Sequence, residues 1–137
     1  MRDSTLLDRS SGITSPLTLT EIPSQSGHPI LANVPSSFTI PNSGANVGIV
    51  HNFATNPATV LMKDQFGNDA VAVRNFGLGH IVEALHNAGN CAGLSTLSDP
   101  NVQQLYIDGI LSTVAGSIFV TVNNVAPVVN PLSLSGR

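Results

Sequence analysis

Four residues in and just beyond the stretch "GHIVEALHNAG" could do chemistry together: His80, Glu83 and His86, with Cys91 close behind. Wound into a helix, the first three fall within about a third of the circumference. Imidazoles and a carboxylate on one face can hold a divalent transition metal. The spacing is HxxExxH, however, not the HExxH in which adjacent helical turns aim both imidazoles at one ion. His80 and His86 would diverge, and a fourth ligand would have to come from elsewhere. The pattern therefore reads as the polar side of an amphipathic helix, and no metal is expected.

A second candidate is "DQFGND", which gathers Asp64, Asn68 and Asp69. Oxygen ligands at this spacing suit calcium, but an EF-hand loop draws about five protein ligands from twelve residues. An ordinary turn is the simpler reading. Nucleophilic catalysis needs a Ser, Thr or Cys activated by a base, and no GxSxG elbow is present. "NFGLGH" has two glycines but not the GxGxxG of a phosphate-binding turn. No catalytic residue, cofactor or metal ligand is assigned, and a non-enzymatic protein is expected.

The elements that must position these residues follow from periodicity. In "GHIVEALHNAG", Ile81, Val82, Ala84, Leu85 and Ala88 share one helical side, with Gly89 as the stop. A second helix is expected over Asp99–Asp108: Ser98 or Asp99 caps it, Pro100 suits its first turn, and Val102, Leu105 and Tyr106 form an apolar stripe. Ile107 falls off that stripe, toward a second surface. Gly109 is read as the helix exit, followed by a strand over Ile110–Val114 and another in "SIFVTVNN". Upstream, "SSFTI" and "ANVGIVHNF" are strand-like, and a hairpin is expected with strands near 58–63 and 70–75 around a turn at 64–69.

Residues 1–35 hold Pro16, Pro23, Pro29 and Pro35 and read as an extended arm. The arm keeps the apolar Leu17, Leu19, Ile22, Ile30 and Leu31, which points to ordering on a neighbouring subunit. The expected organisation is an arm over 1–35, a β-rich body over 36–125 and an extended tail over 126–137. The expected fold is mainly β, a small β-sandwich or barrel with two short helices. Interface residues are expected at Leu17, Leu19, Ile22, Ile30, Leu31, Val34 and Phe38, and in the tail at Val128, Val129 and Leu132.

Charge is the strongest compositional signal. Charged residues make up 9% of the 137, against about 25% in ordinary soluble domains. None occurs between Glu21 and Lys63, or between Asp108 and Arg137. Five scattered Lys and Arg and a net charge of −3 argue against nucleic-acid binding, which needs clustered cations. With 42% hydrophobic residues the chain does not fit intrinsic disorder. Depletion of charge is what interface cores show, because burying an ion is costly. The single Cys91 excludes an intrachain disulfide. No signal-peptide core or membrane span is read, so synthesis in a host cytoplasm without a signal sequence, and no membrane partner, are expected.

Between residues 46 and 114, "NVGIVHNFATNPATVLMKDQFGN", a short apolar helix and "LSDPNVQQLYIDGIL" follow in order. This pattern resembles small virion structural proteins of tailed bacteriophages, the capsid cement or decoration proteins among them. The resemblance covers about half of the chain and carries over no individual residue. It implies a homo-oligomer, a trimer before a dimer, clamped on the major capsid protein at the outside of the head. The uncharged runs would then be contact surface. A phage neck, tail or head-fibre protein is the alternative within that class. An independent ligand-binding β-domain is the alternative outside it, although the absence of Trp and the single Tyr leave little for a sugar platform.

Overall fold

The computed structural model describes residues 6–9, 14–86, 90–91 and 94–115. The architecture is mainly β, built on one open antiparallel sheet of seven strands: β1 (Leu7–Arg9), β2 (Leu17–Glu21), β3 (Ser37–Ile40), β4 (Gly48–Val50), β5 (Thr59–Asp64), β6 (Asp69–Phe76) and β7 (Gly79–Ala84). They run in the order β1-β4-β6-β5-β2-β3, with β7 also on β6. The sheet does not close on itself. A two-stranded ribbon, β8 (Asn90–Cys91) with β9 (Leu94–Ser95), leads toward the one α-helix among the described residues, α1 (Pro100–Ala115).

The β5–β6 hairpin forms where expected, and its turn explains itself. The Asp64 carboxylate accepts hydrogen bonds from the backbone N–H of Phe66 (2.9 Å) and Asn68 (2.7 Å) and from the Asn68 amide (2.9 Å). This is an Asx-type turn, with Gly67 at φ +85° supplying the left-handed residue. The oxygens that could have held calcium are spent inside the turn, and Asp69 pairs with Lys63 and accepts from the Val50 N–H.

Residues 17–35 belong to the body, which corrects the reading of 1–35 as a detachable arm. β2 lies between β3 and β5, not on the edge of another subunit. Leu17 and Leu19 pair with Ile40 and Phe38, and all four sit in the main core with Ile30, Leu31, Leu61, Met62, Val71, Val102 and Leu105. On the opposite side Thr18–Thr39 (2.9 Å) and Thr20–Ser37 (3.0 Å) form a hydroxyl ladder. The prolines do not keep the segment extended. Pro23 and Pro29 each open a 3-10 turn, over Pro23–Gln25 and Pro29–Leu31, where a missing N–H costs nothing. The second turn drops Ile30 and Leu31 into the core.

Residues 79–84 form a strand, not the expected helix. β7 pairs with β6 at six positions, from Phe76↔Gly79 to Val71↔Ala84. The two-residue loop starts with Gly77 at φ +59°, the glycine-first hairpin geometry. Strand alternation looked poor in the sequence because Glu83 shares a face with Ile81. That face is nevertheless partly covered: Leu6, Leu7 and Ala72 form a second small core there, flanked by Val50, Phe53 and Ile81. Glu83 accepts the Leu6 (2.6 Å) and Leu7 (3.0 Å) N–H groups and meets His86 Nδ1 at 3.2 Å. Leu85 then leaves the strand with φ +63°.

α1 begins as expected: Asp99 Oδ1 accepts from the N–H of Asn101 (2.9 Å) and Val102 (3.3 Å). It does not stop at Gly109. That glycine lies against β7, and a Cβ there would stand 3.4 Å from Val82 Cγ1. The expected exit is instead a point of close approach, and the expected strand over Ile110–Val114 is the last part of the helix. The further strand expected in "SIFVTVNN", and the tail, lie outside the described residues.

Candidate interaction surfaces

His80, Glu83 and His86, weighed as metal ligands and set aside, do not converge on one point. In a strand, His80 and Glu83 point to opposite faces, and Glu83 is engaged with the start of β1 and with His86. Among the described residues no three of His, Cys, Asp and Glu are grouped to hold a metal. His80 lies instead on the side of His28. Burial first, and His80 second, hold the His28 pKa below its ordinary value. The neutral ring suits its local role, since Nδ1 accepts the Ile30 N–H at 3.3 Å. His28, Asn56, Thr59, Arg74 and Asn75 line a cleft of about 340 Å³. Its lining holds no carboxylate to pair with the imidazole as an acid–base couple.

Arg74 is a structural cation. Its guanidinium stacks 3.8 Å from the Phe53 ring centroid and donates to the carbonyls of Asn56 (2.8 Å) and Thr55 (3.1 Å). It thereby holds the β4–β5 loop against the sheet, a stacking contact of the kind guanidinium groups favour.

The interface residues expected from sequence divide sharply. Leu17, Leu19, Ile30, Leu31 and Phe38 are buried in this chain's own core, so they do not form an exposed contact surface. Val34 packs partly against that core and Ile22 is half-buried. Val128, Val129 and Leu132 lie outside the described residues. The exposed apolar surface is elsewhere. The β6–β7 tip carries Phe76 and a fully exposed Leu78, the β5–β6 turn carries Phe66, and β4 carries Ile49.

The largest grouping is on α1. Val102, Leu105, Asp108 and Gly109 face inward and are buried. Asp108 Oδ1 accepts from Asn33 (3.0 Å) and Gln104 (2.8 Å). Tyr106 reaches over the sheet end and donates its hydroxyl to the Ala84 carbonyl at 2.8 Å. Burial, and to a lesser degree Glu83, raise its phenol pKa and keep that donor protonated. Ile107, Ile110 and Leu111 face outward, with exposures of 49%, 63% and 58%. Reading the helix as ending at Gly109 hid this second stripe. The signal was present in Ile107, which already fell off the first.

Surface charge is thinner than the composition suggests, because Asp64, Asp69, Arg74 and Asp108 are all buried. No helix among the described residues is long and apolar enough to cross a membrane. The chain matches no family model, and no curated protein or solved structure is significantly similar to it.

Proposed function

We propose that the protein is a non-enzymatic structural component of a virion, a cement or decoration protein that binds the outside of a phage head and bridges major capsid subunits. The observation that carries this reading is the pairing of sparse surface charge with nine large exposed apolar side chains among the described residues. Such a surface suits permanent contact with protein, where charge would be costly to bury. The role expected of an arm passes to α1 and the hairpin tips, because β2 and the 3-10 turns are committed to the core. The protein acts as a homo-oligomer, and its partners are the major capsid protein and itself. A second sheet packed on this one, or closure of this sheet into a barrel, would need further strands supplied outside the described residues or by assembly.

Quantitative mass spectrometry of purified particles tests the reading. Copy numbers comparable to the major capsid subunit are expected. A few copies confined to one vertex would mean a neck or tail component. Absence from the particle would overturn the virion reading.

A further inference from the structure

We infer that the outward stripe of α1 is the self-association surface of the protein, packing three copies of the helix in parallel around a common axis. The inference deepens the proposed reading as a self-associating virion component, but it is drawn from the helix alone. A surface helix normally sets polar residues opposite its buried face, and one that is apolar all round is buried. α1 has an inner face filled by Val102 and Leu105 and an outer face of Ile107, Ile110 and Leu111 that none of the described residues covers.

The occupant follows from charge and spacing. The one charged residue of α1 is Asp108, and it is buried on the inner side. Identical copies can therefore bring their outer stripes together without like-charge repulsion, despite the net charge of −3. Positions 103, 107, 110 and 114 alternate steps of four and three, the seam spacing of a coiled coil. Ile107 and Ile110 occupy the two alternating seam positions. Isoleucine at both favours three or four strands, whereas two-stranded coils prefer leucine at one of them. Leu111 flanks the seam and widens it. Gln103, at the amino-terminal seam position, already donates one of its two amide hydrogens to the Leu97 carbonyl at 2.8 Å, which leaves less polar demand to meet at the end of the seam.

Sedimentation equilibrium of the full chain in the absence of shells tests this independently of particle binding. Wild type is expected at three times the chain mass, and Ile107→Glu/Ile110→Glu at the chain mass with its circular-dichroism melt retained. Ile110→Ser serves as a milder variant, with the same loss of association expected. In a Cys91→Ser background, Ile110→Cys oxidised with copper-phenanthroline is expected to cross-link efficiently, because a parallel axis brings the same residue of each copy together. A monomeric wild type, an unchanged mass in the glutamate variant, or failure of Ile110→Cys to cross-link would each overturn the inference. Failure of shell binding with the trimer intact would count against the virion reading alone.

Discussion

Both faces of α1 carry an apolar stripe, and the two stripes are differently employed. The inner face meets the sheet so closely that Gly109 leaves room for no more than a methyl group beside Val82. The outer face meets nothing in the described chain. An apolar stripe, then, specifies burial but not the partner. The partner is set by what the rest of the fold brings within reach. If this division is right, inner substitutions damage the fold, and outer ones damage association without touching it.

The largest effect is expected at Leu105, which is fully buried in the main core. Leu105→Ala should cost about 2–5 kcal/mol, a large share of the roughly 5–15 kcal/mol that holds a domain together. Chemical denaturation at low protein concentration measures it, and a loss below about 1 kcal/mol would mean the inner face is not core.

Next comes the second small core. Glu83→Ala removes the acceptor for two N–H groups of Leu6 and Leu7, and leaving them unsatisfied should cost about 1–3 kcal/mol. Amide exchange should show those two hydrogens losing protection before the β5–β6 hairpin does. Equal loss across the whole sheet would mean β1 is not a separately held element.

Gly109→Ala should change stability the other way. A glycine inside a helix costs about 1 kcal/mol relative to alanine, and the added Cβ meets Val82 at ordinary contact distance. A small gain in melting temperature is expected. A clear loss would restore Gly109 as a left-handed helix exit, where alanine is strained.

The smallest effect is at His28. Its pKa is lowered from 6.5, so folding favours the neutral ring. The associated stability is complete above that ordinary value and is lost as pH falls through it toward the depressed folded value. Comparing melts of wild type and His28→Asn, which keeps an acceptor at the Nδ1 position, from pH 7.5 down to 5 isolates the contribution. The variant should show a slightly flatter profile, and an identical one would mean that His28 does not couple to folding.

Much of this was legible in the chain. The Asp64 turn and the Asp99 cap are local signals, and local chemistry decided them. What escaped the sequence was decided by distant partners. Residues 79–84 have helical periodicity, but pairing with β6 along six positions outweighs it. Glu83 spoils the strand alternation only until the N–H groups of Leu6 and Leu7, more than seventy positions away, are seen beside it. The prolines of residues 16–35 signalled extended chain, yet Pro23 and Pro29 each start a 3-10 turn, and the second of these buries Ile30 and Leu31. The exposed stripe was half visible through Ile107 and was hidden by taking Gly109 at face value.

The most direct test of the division between the two faces is the melting temperature as a function of protein concentration, for wild type and for Ile107→Ser/Ile110→Ser. Association that involves only the folded state raises the melting temperature with concentration. Wild type should show that rise, and the double variant should stay flat at the value wild type approaches on dilution. A wild-type melting temperature independent of concentration, or a variant that melts below wild type even at the lowest concentration, would contradict the assignment of the outer face to self-association.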